Sequence, residues 1–227
     1  MIRYPLNRCL PINGTVYGVA WYAGNAPAVD SEPPNKAPNH TVPNSPVLFI
    51  KPHNTFLPHG GTVQLPPTLP EVEASAALAL VFARDTRAIT AAQAMDAIAG
   101  YTLVIDLSEP GAGSLRPPIR EKCRDGFLPV GPLIVAKESI VNLGDIVVRL
   151  EIDGKEVASF CVRQEIQQIA KLIEDVSAFM TFRAGDVLLA AHTPWGPRAR
   201  VGSSITATAE GLGRLDTVLD WEKEVVL

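Results

Sequence analysis

The sequence predicts an α+β fold, one β-rich domain with few helices, and three observations carry that expectation. Candidate strands outnumber candidate helices. The two do not alternate in the regular order of a doubly wound sheet or a barrel. A 47% hydrophobic content against 19% charged, over 227 residues, leaves enough apolar side chain for one real core, with no internal repeat to divide it.

Prolines collect with Asn, His and Gly between Pro27 and Pro70, which predicts turns and extended segments there. Within that region Val47-Leu48-Phe49-Ile50 is a short apolar strand running into Lys51-Pro52, and Gly60-Gly61 marks the next turn. The run Ala76–Ala83 reads as a strand buried on both faces. Periodicity alone leaves a helix open there, and the short length and flanks favour strand. Thr90 is placed to cap a helix Ala91–Ala99, with Ala91, Met95 and Ile98 on one face and Gly100 as the C-cap.

Tyr101–Leu107 then sets apolar residues on either side of Asp106, and the Gly/Pro-rich segment Pro110–Pro118 is a loop long enough to be functional. Ile140–Ile152, the Asp153-Gly154 turn and Glu156–Val162 predict an antiparallel hairpin. The clearest helix is Arg163–Met180: Ile166, Ile169, Ala170, Ile173 and Val176 recur at three- and four-residue steps, with Arg163, Gln167, Lys171 and Glu174 outward. Gly185-Asp186 introduces a strand Val187–Ala191. A last strand pair spans Ser204–Ala209 and Arg214–Leu219 around Gly211 and Gly213.

Composition excludes several function classes. Lys+Arg 20 against Asp+Glu 24 gives a net charge of −4, with no basic excess for a phosphate backbone, so nucleic acid is not an expected partner. No apolar run approaches the ~20 residues a membrane helix needs. Met1–Leu10 leads into Pro11 and Asn13-Gly14, without the apolar stretch of an export signal. Cys9, Cys123 and Cys161 are odd in number and widely spaced, which argues for a reducing, cytoplasmic setting and against a disulfide framework. Phosphate-loop, dinucleotide, H-E-x-x-H and G-x-S-x-G motifs are absent. His40, His53, His59 and His192 lack metal-ligand spacing; His192 directly precedes Thr193-Pro194 at a strand end.

Four segments together carry more: Phe49-Ile50-Lys51-Pro52; Gly100-Tyr101-Thr102 with Asp106; Lys122-Cys123-Arg124-Asp125-Gly126-Phe127-Leu128-Pro129-Val130-Gly131-Pro132; and Gly185-Asp186 with Thr193-Pro194. In order and spacing they resemble the fumarylacetoacetate hydrolase family over roughly residues 15–220, leaving residues 1–14 as an N-terminal extension and 15–227 as the family-like domain. Arg116-Pro117 followed by Lys122–Gly126 resembles the N-terminal half, or separate N-terminal subunit, of that family's isomerase/decarboxylases of aromatic catabolism. The resemblance implies layered mixed β-sheets forming a β-roll with few helices, usually dimeric. It also implies Mg²⁺ or Mn²⁺ held by a Glu-x-Glu pair and a later Asp. Two residues apart on a strand share a face, so such a pair offers a hard cation two carboxylates together.

This chain departs from that pattern. Counting back from Arg84 along Leu78–Ala83, and forward from Pro66, places the pair at Ser75 and Ala77, so Asp106 alone keeps a metal-ligand side chain. Tight binding of Mg²⁺ or Mn²⁺ is therefore not expected. Glu71 and Glu73 have the spacing but sit four residues early and read as a solvated strand entry. Where many family members carry an Asn-Tyr and a His, the early loop reads Trp21-Tyr22-Ala23-Gly24-Asn25-Ala26, so no His-based acid/base dyad is expected from it.

Other positions match. The resemblance implies Lys51 and Lys122 as pocket lysines, Asp125 as the acid after the second lysine and Thr193 as the hydroxyl beside the substrate carboxylate. By their chemistry Lys122 and Asp125 are the candidate acid/base residues, with Lys51, Arg116, Arg124, His192 and Thr193 around an anionic substrate. The expected activity is isomerisation or decarboxylation of dicarboxylic 2-oxo or 2-hydroxydienoate intermediates, the partner being a second copy or a metal-binding paralogous subunit. A non-catalytic structural subunit is the second reading and an acylpyruvate-type hydrolase the third.

Overall fold

The computed structural model describes residues 12–21, 45–111, 118–193 and 196–223. Residues 1–11 of the extension with Cys9, residues 22–26 of the early loop, His40, residues 112–117 of the Gly/Pro-rich loop with Arg116, and Pro194 lie outside the described residues. In chain order the strands begin with β1 (Val16–Trp21), β2 (Val47–Lys51), β3 (Phe56–Pro58), β4 (Thr62–Leu65) and β5 (Glu71–Phe82). Helix α1 (Ala91–Ala94), β6 (Ile98–Ser108), α2 (Ile119–Lys122), β7 (Leu128–Val130) and β8 (Val135–Ala136) follow. The hairpin β9 (Val147–Ile152) and β10 (Lys155–Cys161) leads to α3 (Ile166–Phe179). Then come β11 (Val187–His192), β12 (Arg198–Arg200), β13 (Ser204–Ala209) and β14 (Gly213–Trp221).

These strands form two mixed sheets. The larger runs β2-β1-β11-β5-β6-β7-β3, with β12 on β5 and β8 on β6; the smaller runs β10-β9-β13-β14-β4. The larger one is rolled. Laid flat, six strand spacings of about 4.8 Å would separate the β2 and β3 edges by about 29 Å, whereas the five Cα steps from Lys51 to Phe56 reach at most about 19 Å. Pro52 and a 3₁₀ turn at His53–Thr55 make that connection, so the sheet must curl until its edges approach.

The long strands β5 and β6 are buried on both faces, as their apolar runs require. Their outer sides, including Leu78, Leu80, Leu103 and Ile105, join the main core beneath the smaller sheet and α3. Their inner sides, including Ala77, Ala79 and Val104, form a second apolar cluster with Val187, Leu189 and Val130 inside the roll. Helix α3 buries Ile169, Leu172, Ile173 and Val176, the face its periodicity marks. Among the described residues no helix is long and apolar enough to cross a membrane.

Two element expectations need correction. The helix expected over Ala91–Ala99 keeps only Ala91–Ala94 and a 3₁₀ turn at Met95–Ala97; Ile98 already opens β6. Sheet pairing overrides the helical spacing, because Ala83 N donates to Ala97 O at 2.8 Å and Ile98 pairs with Phe82. Gly100 is thus no C-cap. A Cβ there would lie 2.4 Å from Val135 O, so the glycine admits the backbone of β8. The hairpin strand expected from Ile140 begins at Val147, since Asn142 accepts from Gly144 N and turns the chain at Leu143–Asp145. The hairpin turn itself is at Asp153-Gly154, both with positive φ.

Candidate active site

The roll brings β2 to β6. Alternation along β2 turns Phe49 and Lys51 inward while Ile50 stays exposed. Across the roll, Ser75 on β5 pairs directly with Asp106 on β6, and Ala77 pairs with Val104. The three positions singled out for a metal therefore share one inner face. Lys122 arrives from the end of α2, which follows β6.

The centre is a carboxylate between two ammonium groups. Lys51 Nζ lies 2.5 Å from Asp106 Oδ1, and Lys122 Nζ donates to Oδ2 at 3.0 Å. Lys51 is 1% exposed, Asp106 2% and Lys122 7%. Lys51 Nζ also donates to Leu107 O at 2.8 Å, Lys122 O at 2.8 Å and Phe127 O at 3.0 Å. An ammonium has three protons, and these carbonyls take them. Among the described residues Asp106 Oδ1 then receives charge but no hydrogen bond. Lys122 Nζ stands 4.5 Å above the Phe49 ring, and that ring lies over Gly18, where a Cβ would be 2.1 Å from it.

The electrostatics follow from sharing. Burial pushes Asp106 upward, but the Lys122 and Lys51 charges and the hydrogen bond from Lys122 more than offset it, leaving the carboxyl below its usual value. Burial lowers Lys51 to about 8; Asp106 opposes this and Lys122 adds to it. The carboxylate has two attractive neighbours, while each lysine has one attractive and one repulsive. Two ammonium groups against one carboxylate make the trio an excess-cation arrangement.

On the neighbouring strand end, Ser75 Oγ donates to Thr193 O at 2.8 Å and Ala76 N donates to Thr193 Oγ1 at 3.0 Å. His192 Nδ1 lies 3.0 Å from Thr193 O. Thr193 is thereby seated beside Ser75, next in space to the Asp106 position.

The remaining candidates divide. Asp125 is exposed on the turn after α2, where Asn54 donates to its Oδ1 at 2.7 Å and to Cys123 O at 3.0 Å; it braces that turn rather than joining the buried trio. Arg124 Nε pairs with Glu109 Oε1 at 2.5 Å. Glu71 and Glu73 pair with Arg198 of β12, so the expected solvated entry is an ion-paired, half-buried one. Burial raises the Cys123 thiol, which does not favour a thiolate nucleophile. Phe49, Asn54 and Glu109 were not among the sequence candidates. The two-residue step from Lys51 points to Phe49; nothing in the sequence points to the other two.

The donor set does not fit Mg²⁺ or Mn²⁺. Both oxygens of Asp106 face ammonium groups, Ala77 offers no ligand atom, and the Ser75 hydroxyl is tied to Thr193. Among the described residues no group of three His, Cys, Asp or Glu side chains could hold a metal ion. What the arrangement can do is hold an anion and move a proton at Lys122.

Comparisons with known proteins agree with the rolled architecture. The sequence profile described as "Fumarylacetoacetate (FAA) hydrolase C-terminal" matches residues 18–220. A "4-hydroxyphenylacetate degradation bifunctional isomerase/decarboxylase" of Salmonella dublin is 34% identical over 77% of this chain and 41% of its own length. An Escherichia coli protein of the same name is 29% identical over 94% of this chain and 49% of its own, so the chain spans about half the length of these relatives or less. The crystal structure of "5-carboxymethyl-2-hydroxymuconate delta-isomerase" from Mycobacterium smegmatis superposes with a TM-score of 0.74 at 28% identity, covering 94% of this chain and 79% of that one.

Proposed function

The chain belongs to the fumarylacetoacetate hydrolase family, and from that premise we propose that it acts as a metal-depleted, N-terminal-type isomerase/decarboxylase of aromatic catabolism. Its substrates are dicarboxylic 2-oxo or 2-hydroxydienoate compounds of the 4-hydroxyphenylacetate route, of the 2-hydroxyhepta-2,4-diene-1,7-dioate type. It works in the cytoplasm, as a homodimer or beside a metal-binding paralogous subunit. The observation that carries this reading is the Lys51–Asp106–Lys122 trio set against Ser75 and Ala77.

Such a substrate is anionic at both ends, and its reactive form is a dienolate. In isomerisation the enol oxygen gives up its proton and a carbon of the diene receives one, with no change of oxidation state. In decarboxylation the electrons of the breaking C–C bond pass to the oxo group, carbon dioxide leaves, and a proton closes the resulting enolate. Both need a positive group at the oxygen and a proton donor at the carbon. The Lys122 ammonium serves both needs, and Asp106 fixes its position. Thr193, His192, Arg124 and Arg116 are assigned to the substrate carboxylates, with Asp125 acting through the α2 turn.

The purified chain should turn over a 2-hydroxydienedioate at the same rate with chelator as with Mg²⁺, and Lys122→Met should lower kcat by about 10²–10⁴-fold. No turnover under either condition would defeat independent catalysis. Ser75 and Ala77 also favour a second reading, a structural subunit of a metal-binding paralogue. In a reconstituted mixture with such a subunit, activity that survives Lys122→Ala in this chain alone supports that role. An acylpyruvate hydrolase ranks below both, because its metal has no matching donor set here.

A further inference from the structure

Lys51 does more than neutralise Asp106. Its Nζ has four oxygen neighbours between 2.5 and 3.0 Å: Leu107 O from β6, Lys122 O at the end of α2, Phe127 O just before β7, and Asp106 Oδ1. The three carbonyls stand 56, 71 and 76 residues from Lys51 in sequence, so only the closed roll assembles them. These distances match N–H···O bonds and exceed the ~2.0–2.1 Å that Mg²⁺ demands. Neither Lys51 nor Asp106 has appreciable access to water.

We infer that the Lys51 ammonium is the resident cation of this site. It fills, from the protein's own chain, an oxygen cage sized for a small monovalent cation, holds Asp106 in place for Lys122, and thereby excludes a metal ion. Lys51 is thus a positioning residue with no proton left for a substrate. The cage without Lys51 is a binding site for ammonium or methylammonium. This assignment is independent of which substrate is turned over, so failure of the turnover assay leaves it standing.

The test uses the full chain. In ¹⁵N-lysine-labelled wild-type protein at neutral pH, NMR should show a slowly exchanging ammonium group, and equimolar Mn²⁺ should stay free by electron paramagnetic resonance. Lys51→Met, which keeps volume and removes charge, should lower the melting temperature by roughly 5–10 °C. Lys51→Ala should melt lower too, and methylammonium chloride should restore more of that loss than sodium chloride at equal ionic strength. The inference is overturned by tight Mn²⁺ binding in the wild type, by the absence of a protected ammonium, by Lys51→Met melting with the wild type, or by equal recovery in both salts. The two wild-type measurements decide the matter even where a variant fails to fold.

Discussion

Asp106 is one carboxylate answering for two cations, and its removal should show it. Asp106→Asn leaves two buried ammonium groups facing each other, an expected loss of about 3–5 kcal/mol of stability, measurable by denaturant unfolding. The carboxyl titrates below its usual value in the fold, so its contribution is fully present above an unfolded-state pKa of about 3.9. It is lost as pH falls through the lower folded value. The wild type should therefore lose stability more steeply than Asp106→Asn below about pH 4. A different outcome is expected at Thr102, whose buried Oγ1 has no hydrogen-bond partner among the described residues. Exchanging that hydroxyl for a methyl in Thr102→Val removes a desolvation cost, and the melting temperature should rise, by about 1 kcal/mol in stability. At this scale Lys51, Asp106 and Lys122 are legible as residue types in a family order. The cage around Lys51 is not, since backbone carbonyls have no sequence signature.

Among the elements, β5 and β6 set the site by register. Ser75 meets Asp106 only because the ladder pairs them, and a slip of one residue would turn every inner side chain outward. The apolar run of β5, the α3 periodicity and the Asp153-Gly154 turn are readable because each signal is local. The short strands β3 and β7 are not: they hold three residues each, with Pro58 and Pro129 inside them, and only their parallel pairing makes them strands. The segment after Thr90 misleads for the same reason, as β8 and β5 claim residues whose spacing suits a helix. Gly100→Ala tests that account. Its Cβ would meet Val135 O, and the expected cost is about 1–3 kcal/mol with loss of β8 pairing, seen as faster amide exchange at Val135 and Ala136. A Gly100→Ala variant as stable as the wild type would mean that β8 does not press on β6.

For the molecule as a whole, function depends on closure. Lys51 lies on an edge strand, four places from β6 in the sheet order, and reaches Asp106 because Pro52 and the turn at His53–Thr55 pull the two edges together. That nearness across the roll is a tertiary fact that local patterning cannot supply; the family resemblance goes only as far as assigning both lysines to one pocket. The same closure turns a face suited to a cation into one with excess positive charge. Crystals soaked in Mn²⁺ and measured at the manganese absorption edge test this most directly. The account predicts continuous density for the Lys51 side chain ending among its four oxygens, with no anomalous peak beside Asp106. A strong peak bonded to Asp106, with Lys51 displaced from its cage, would contradict it.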